Sequence, residues 1–162
     1  MTNTTPPKKI FSLLHEIASY LEQLHAALNT EHKALSENNI TDIQTIAQEK
    51  IILMEHLEDL DKERRLVLEK AGLNLSATGI EDYFQQSSST SAPELKSLWE
   101  TIAHLSKQCE QQNDVNGIII ESNRRHTENA LSILQGKQQN TELYTSKGKS
   151  VKASGKQTLI RA

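Results

Sequence analysis

Apolar residues recur along the chain in alternating steps of four and three. The first series is Ile10, Leu14, Ile17, Leu21, Leu24 and Leu28, then Glu31 in an apolar slot, then Leu35. Such steps lay the side chains on one stripe of an α-helix, the seam along which helices pack side by side. They predict a first helix over about 8–37, entered through Thr5, Pro6 and Pro7, because proline suits the first helical turn. A second series, Ile43, Ile46, Lys50, Leu53, Leu57, Leu60, Arg64, Val67 and Ala71, predicts a helix over 42–71. Thr41-Asp42-Ile43-Gln44 has the form of a capping box that opens it, and Gly72 is placed to stop it. The connection between the two is short, which makes them antiparallel neighbours. Folding back around 38–40 brings Glu31 to the level of Ala47 and Lys50, so the two charged interruptions are expected to pair.

Residues 72–93 change texture, with two glycines and the run Ser87-Ser88-Ser89-Thr90-Ser91, and read as a linker. Thr78-Gly79-Ile80-Glu81 has the form of a cap for short turns through Phe84. Ser91-Ala92-Pro93-Glu94 is a further capping-box pattern and starts a third helix, about 94–135. Its seam is Leu95, Leu98, Trp99, Ile102, Leu105 and Cys109. The seam turns polar at Gln112 and Asn116, and apolar residues return at Ile118-Ile119-Ile120, Leu131, Ile133 and Leu134. Asn116-Gly117 is a β-hairpin signal. The preceding Lys107–Asp114 shows no strand alternation, however, and the other five glycines fall in predicted breaks. The pair is therefore read as helical, at about 1 kcal/mol relative to alanine, with a glycine that permits close approach of another backbone. The expected fold is all-α: an antiparallel helical hairpin plus a long third helix in a coiled-coil-like bundle over 1–136, then a flexible tail over 137–162.

Composition narrows the picture. Only six of the 162 residues are aromatic and 36% are hydrophobic, which suits thin helices. No apolar run approaches the ~18 residues of a membrane span, and Met1–Lys9 lacks the apolar core of a signal peptide. A soluble, cytoplasmic protein without membrane insertion is expected. The single cysteine, Cys109, excludes an intrachain disulfide. The chain carries −3 overall, yet the tail holds six Lys or Arg against one acid, Glu142. The body is thus acidic, which argues against nucleic acid as a partner.

Enzyme signatures are missing. The sequence has no glycine-rich phosphate loop and no Gly-x-Ser-x-Gly, and Cys109 lies on a helix seam, where a thiol is normally inert. Glu22 and His25 have the Glu-x-x-His spacing of di-iron bundles, which need two such motifs and two further glutamates. The six histidines share no ligand spacing. Neither metal, cofactor nor catalysis is expected. Long amphipathic helices generally act by binding other helices.

The ordered set of motifs resembles the FlgN family of flagellar export chaperones. The hairpin carries Glu31, Leu35, Lys50, Leu53, Leu57, Leu60 and Arg64. The third helix has Trp99, then Asn113, Asn116, Gly117, Ile119 and Ile120, and closes with Leu131, Leu134 and Gly136. Leu143, Tyr144 and Gly148 follow, then Ser154-Gly155-Lys156 and Leu159-Ile160; Thr145 stands where the family usually has glycine. The resemblance implies a cytoplasmic chaperone that binds the C-terminal helical segments of the hook–filament junction proteins FlgK and FlgL. It would block their premature assembly and deliver them to the export gate, whose membrane component is FlhA. It points to Leu143 and Tyr144 for gate binding. Asn116, Gly117, Ile118, Ile119, Leu131 and Leu134 are the expected client-binding residues. The competing reading is a structural coiled-coil oligomerisation or adaptor protein without a secreted client.

Overall fold

The computed structural model describes residues 6–70, 72, 92–135, 143–144 and 150–151. Three helices dominate: α1 (Pro6–Ser36), α2 (Ile40–Lys70) and α3 (Ala92–Leu134). The fold is all-α, as the periodicity requires. One feature is new. In the tail, β1 (Leu143–Tyr144) and β2 (Ser150–Val151) pair antiparallel, with Leu143 opposite Val151 and Tyr144 opposite Ser150. A two-residue ladder has no alternation long enough to read from sequence. The chain divides into two compact units, Met1–Ile120 and Glu121–Ala162.

The hairpin turn is built by its asparagines. Asn38 adopts φ 52°, a left-handed conformation that asparagine tolerates better than most residues. Asn39 N–H then donates to the Ala34 carbonyl at 2.9 Å and Asn38 N–H to the Leu35 carbonyl at 3.3 Å. Together these bonds form a Schellman stop, with asparagine in place of the usual glycine. The expected Thr41–Gln44 cap is displaced. Asn39 is the actual N-cap: its Oδ1 accepts from Asp42 N–H at 3.3 Å, and its Nδ2 donates to the Asp42 carboxylate at 2.6 Å. One residue thus ends α1 and opens α2, so α2 begins earlier than Thr41. Gly72, at φ 71°, follows the end of α2 as expected.

Packing in the first unit has two levels. In the larger cluster, Ile10, Leu14, Ile17, Leu21 and Leu28 of α1 meet Leu68 of α2 and Leu95, Ile102 and Cys109 of α3. Half-buried Leu57, Leu60, Leu98 and Trp99 pack on it. Each fully buried aliphatic side chain here contributes about 1.5–3 kcal/mol. The smaller cluster, Ala27, Ala34, Ile46 and Leu53, belongs to α1 and α2 alone. At that level α3 is joined to the hairpin by polar groups. The Ser-rich linker, the cap at Thr78 with its turns through Phe84, Ser91, Gly136, Thr145, Gly148 and the basic segment Ser154–Ile160 lie outside the described residues. Leu143 and Tyr144 are described by backbone alone.

Candidate functional site

The charged interruptions of the two seams meet. Lys50 Nζ donates to both oxygens of Glu31, at 3.0 and 2.8 Å. Glu31 is buried and Lys50 only slightly exposed. Glu31 also takes a third bond, from Asn116 Nδ2 of α3 at 2.9 Å. The second Nδ2 hydrogen goes to the Leu28 carbonyl at 2.9 Å. On the other side, Asn116 Oδ1 accepts from Gln112 Nε2 at 3.1 Å and lies 3.1 Å from His32 Nδ1. An amide oxygen can only accept, so Nδ1 of His32 carries the proton. Asn116, 1% exposed, thereby makes all four hydrogen bonds open to a carboxamide.

This node ties three helices through five side chains. Burying an ion pair costs several kcal/mol, which good geometry and extra hydrogen bonds offset; removing one partner leaves the cost uncompensated. Its effect is therefore mainly specificity. Sliding α3 along the hairpin in either direction would strand Asn116, Glu31 and Lys50 without partners.

A second buried charge lies in the larger core. Arg64 donates through Nε and Nη2 to Asp61 Oδ1, at 2.9 and 2.6 Å, and its guanidinium lies 5.8 Å from the centre of the Trp99 ring. Nη1 is buried and has no partner among the described residues. Burial pushes the Asp61 carboxyl up, but the hydrogen bonds and charges of Arg64 and Arg65 outweigh it and hold it below its ordinary value.

The expected client-binding residues divide. Asn116 points inward and is spent on the node. Gly117 is open: a methyl group placed there would meet nothing within 4 Å, so no described backbone uses the gap. Ile118 is 71% exposed, Val115 and Ile120 about half exposed, and Ile119 half-buried. In the second unit Leu131 is 50% and Leu134 83% exposed, with Ile133 exposed as well. Apart from half-buried Ile119, these aliphatic side chains are therefore on the surface. Beside them Arg124 bonds Glu121 and Glu128, and Arg125 bonds Glu121. The hydrogen bond from Arg124, then that from Arg125, holds the Glu121 carboxyl down at about 2.

Among the described residues no group of three His, Cys, Asp or Glu side chains is arranged to hold a metal ion. His25 of the Glu-x-x-His spacing lies 3.4 Å from Asn29. The Cys109 thiol donates to the Leu21 carbonyl at 3.5 Å, and burial pushes its pKa up, away from a reactive thiolate. No helix among the described residues is long and apolar enough to cross a membrane. His32 is not evident from sequence, because it stands one position off the apolar seam that runs through Leu28, Glu31 and Leu35. The apolar period also passes over Ile51-Ile52-Leu53-Met54, four consecutive apolar residues where a seam accounts for one.

The sequence profile described as FlgN protein matches residues 7–152. The chain belongs to the FlgN family. Its structure is similar to a crystal structure from Pseudomonas aeruginosa of a protein described as a flagella synthesis protein, FlgN. The TM-score is 0.65 at 26% identity, covering 82% of this chain and 99% of that one. No curated protein sequence matches the chain. For a FlgN protein, the node now has a clear place. Lys50 and Asn116, which carried the resemblance from scattered positions together with Glu31, both hydrogen-bond the Glu31 carboxylate. Arg64 and Trp99 form the second such meeting.

Proposed function

We propose that this FlgN protein is a cytoplasmic export chaperone for the junction proteins FlgK and FlgL. It acts by binding, without catalysis or cofactor. The observation that carries the reading is the exposed aliphatic set on α3. A helix that leaves Ile118 in water beside the unfilled gap at Gly117, and Leu131 and Leu134 in water in the second unit, has surface to offer another helix. Clients whose C-terminal segments are amphipathic helices would otherwise join through those stripes too early. A chaperone helix with a matching stripe buries them reversibly. In this account Gly117, Ile118, Ile119, Leu131 and Leu134 contact the client. Asn116 acts from inside, holding α3 in register.

Leu143 and Tyr144 are proposed to contact the cytosolic domain of the gate protein FlhA. An aromatic side chain with a short apolar neighbour is a common anchor in protein interfaces. Family membership and the likeness to a flagella synthesis protein support a flagellar role. Light scattering on a size-exclusion column decides between this and a coiled-coil oligomer. A chaperone gives a defined complex when FlgK or FlgL is added. A scaffold without a client gives a stable homo-oligomer that ignores both.

A further inference from the structure

The run Ile51-Ile52-Leu53-Met54 on α2 has no role in the function proposed above. Only Leu53 enters the hairpin core. Ile51, Ile52 and Met54 are 50%, 55% and 51% exposed. One neighbouring helix buries one stripe of side chains, so four consecutive apolar residues cannot all be covered by α1. Single exposed aliphatic residues are ordinary, whereas three within one turn make a contiguous patch of the kind that marks an interaction site.

The charges around the patch say what fits it. Lys50 is the only Lys or Arg between Glu49 and Asp61, and it is turned inward onto Glu31. The next cation, Lys62, is paired with Asp59. Glu49, Glu55 and Glu58 are all exposed around the apolar run. The internal ion pair thus removes the one cation that would have balanced this face. An anionic rim repels nucleic acid and anionic lipid. A second copy docked about a two-fold axis would set the same patch against itself, acid facing acid. An apolar helix flanked by Lys and Arg satisfies both the patch and its rim.

We propose that this face of α2 docks an amphipathic helix of a partner protein, with basic residues on both flanks of its apolar stripe. The site is separate from the α3 residues assigned to the client, and it stands whether or not that assignment does. The test uses the full-length protein and a synthetic helical peptide with Leu at positions a and d and Lys at e and g. Its counterpart carries Glu at e and g. Fluorescence anisotropy reads binding.

The Lys peptide binds, the Glu peptide does not, and added salt weakens the complex. The Ile52→Ser/Met54→Ser variant loses roughly tenfold or more in affinity, as removal of two buried aliphatic contacts requires. Glu55→Lys/Glu58→Lys loses binding as well. Leu66→Ser, an exposed position elsewhere on α2, binds like the parent, and circular dichroism confirms that each variant is folded. Equal binding by Ile52→Ser/Met54→Ser and Leu66→Ser overturns the proposal, as does equal binding of the two peptides. An equal loss on Ile118→Ser would put the peptide on α3 and overturn it too. Two other occupants are also excluded or exposed. Sedimentation equilibrium showing a dimer that Ile52→Ser/Met54→Ser abolishes would assign the face to a second copy. A gain in peptide affinity on Lys152→Glu/Lys156→Glu would assign it to the chain's own tail.

Discussion

Asn116 is the residue on which the register of α3 depends. Its amide donates to Glu31 and to the Leu28 carbonyl and accepts from Gln112 and His32. Asn116→Ala leaves the buried Glu31 carboxylate and Leu28 carbonyl short of a partner. We expect a loss of about 2–3 kcal/mol, read by urea denaturation. Glu31 and Lys50 are coupled through the same node. A double-mutant cycle on Glu31→Ala and Lys50→Ala should give an interaction of about 1–3 kcal/mol; an additive result would remove the pair from the account. Gly117 behaves in the opposite sense. Its Cβ position is empty and it lies inside a helix, so Gly117→Ala should stabilise the chain by about 0.5–1 kcal/mol while weakening client binding. Stabilisation without loss of binding would show that the gap serves no partner. The Glu31–Lys50 pair was legible in the sequence because both charges interrupt an otherwise apolar period at matching distance from one turn. The full environment of Asn116 was not, because which helix it faces depends on long-range packing that periodicity does not encode.

At the scale of elements, the three helices follow from the four-three spacing: the described seam residues are buried or half-buried, while Leu13, Ala27, Ala34 and Leu68 are buried beside the seam. The caps were harder to read. Two overlapping signals, Asn39…Asp42 and Thr41…Gln44, compete for the start of α2. The Schellman stop at Asn38 decides between them, because it delivers Asn39 already placed to cap. Asn39→Ala should cost about 1 kcal/mol, and Thr41→Ala far less, by thermal melting. Within α2, Asp61 sets a pH dependence. Its folded pKa lies below the ordinary value of 3.8, held there against burial by Arg64 and Arg65. The unfolded chain therefore takes up this proton first on acidification. The contribution is complete above the ordinary value and is lost as pH falls through the lower, folded one. The melting temperature should drop below about pH 4 more steeply in the parent than in Asp61→Asn. Parallel curves would mean that the Asp61–Arg64 pair adds nothing.

For the whole molecule, the chain divides into the compact units Met1–Ile120 and Glu121–Ala162, with α3 contributing to both. An apolar period marks where helices can pack but not where packing ceases, and Ile118, Leu131 and Leu134 are apolar yet exposed. That mismatch between pattern and burial is the physical basis of the chaperone reading. It also separates two partners: Tyr144→Ala should abolish binding to the FlhA cytosolic domain and leave client binding unchanged. The most direct measurement is a calorimetric titration of the C-terminal segment of FlgK into the full chain and into Ile118→Ser/Leu134→Ser. The account predicts a defined complex with the parent, a negative heat-capacity change from apolar burial, and at least a roughly tenfold loss in the variant. Equal affinity for both proteins, or no binding by the parent, would contradict it.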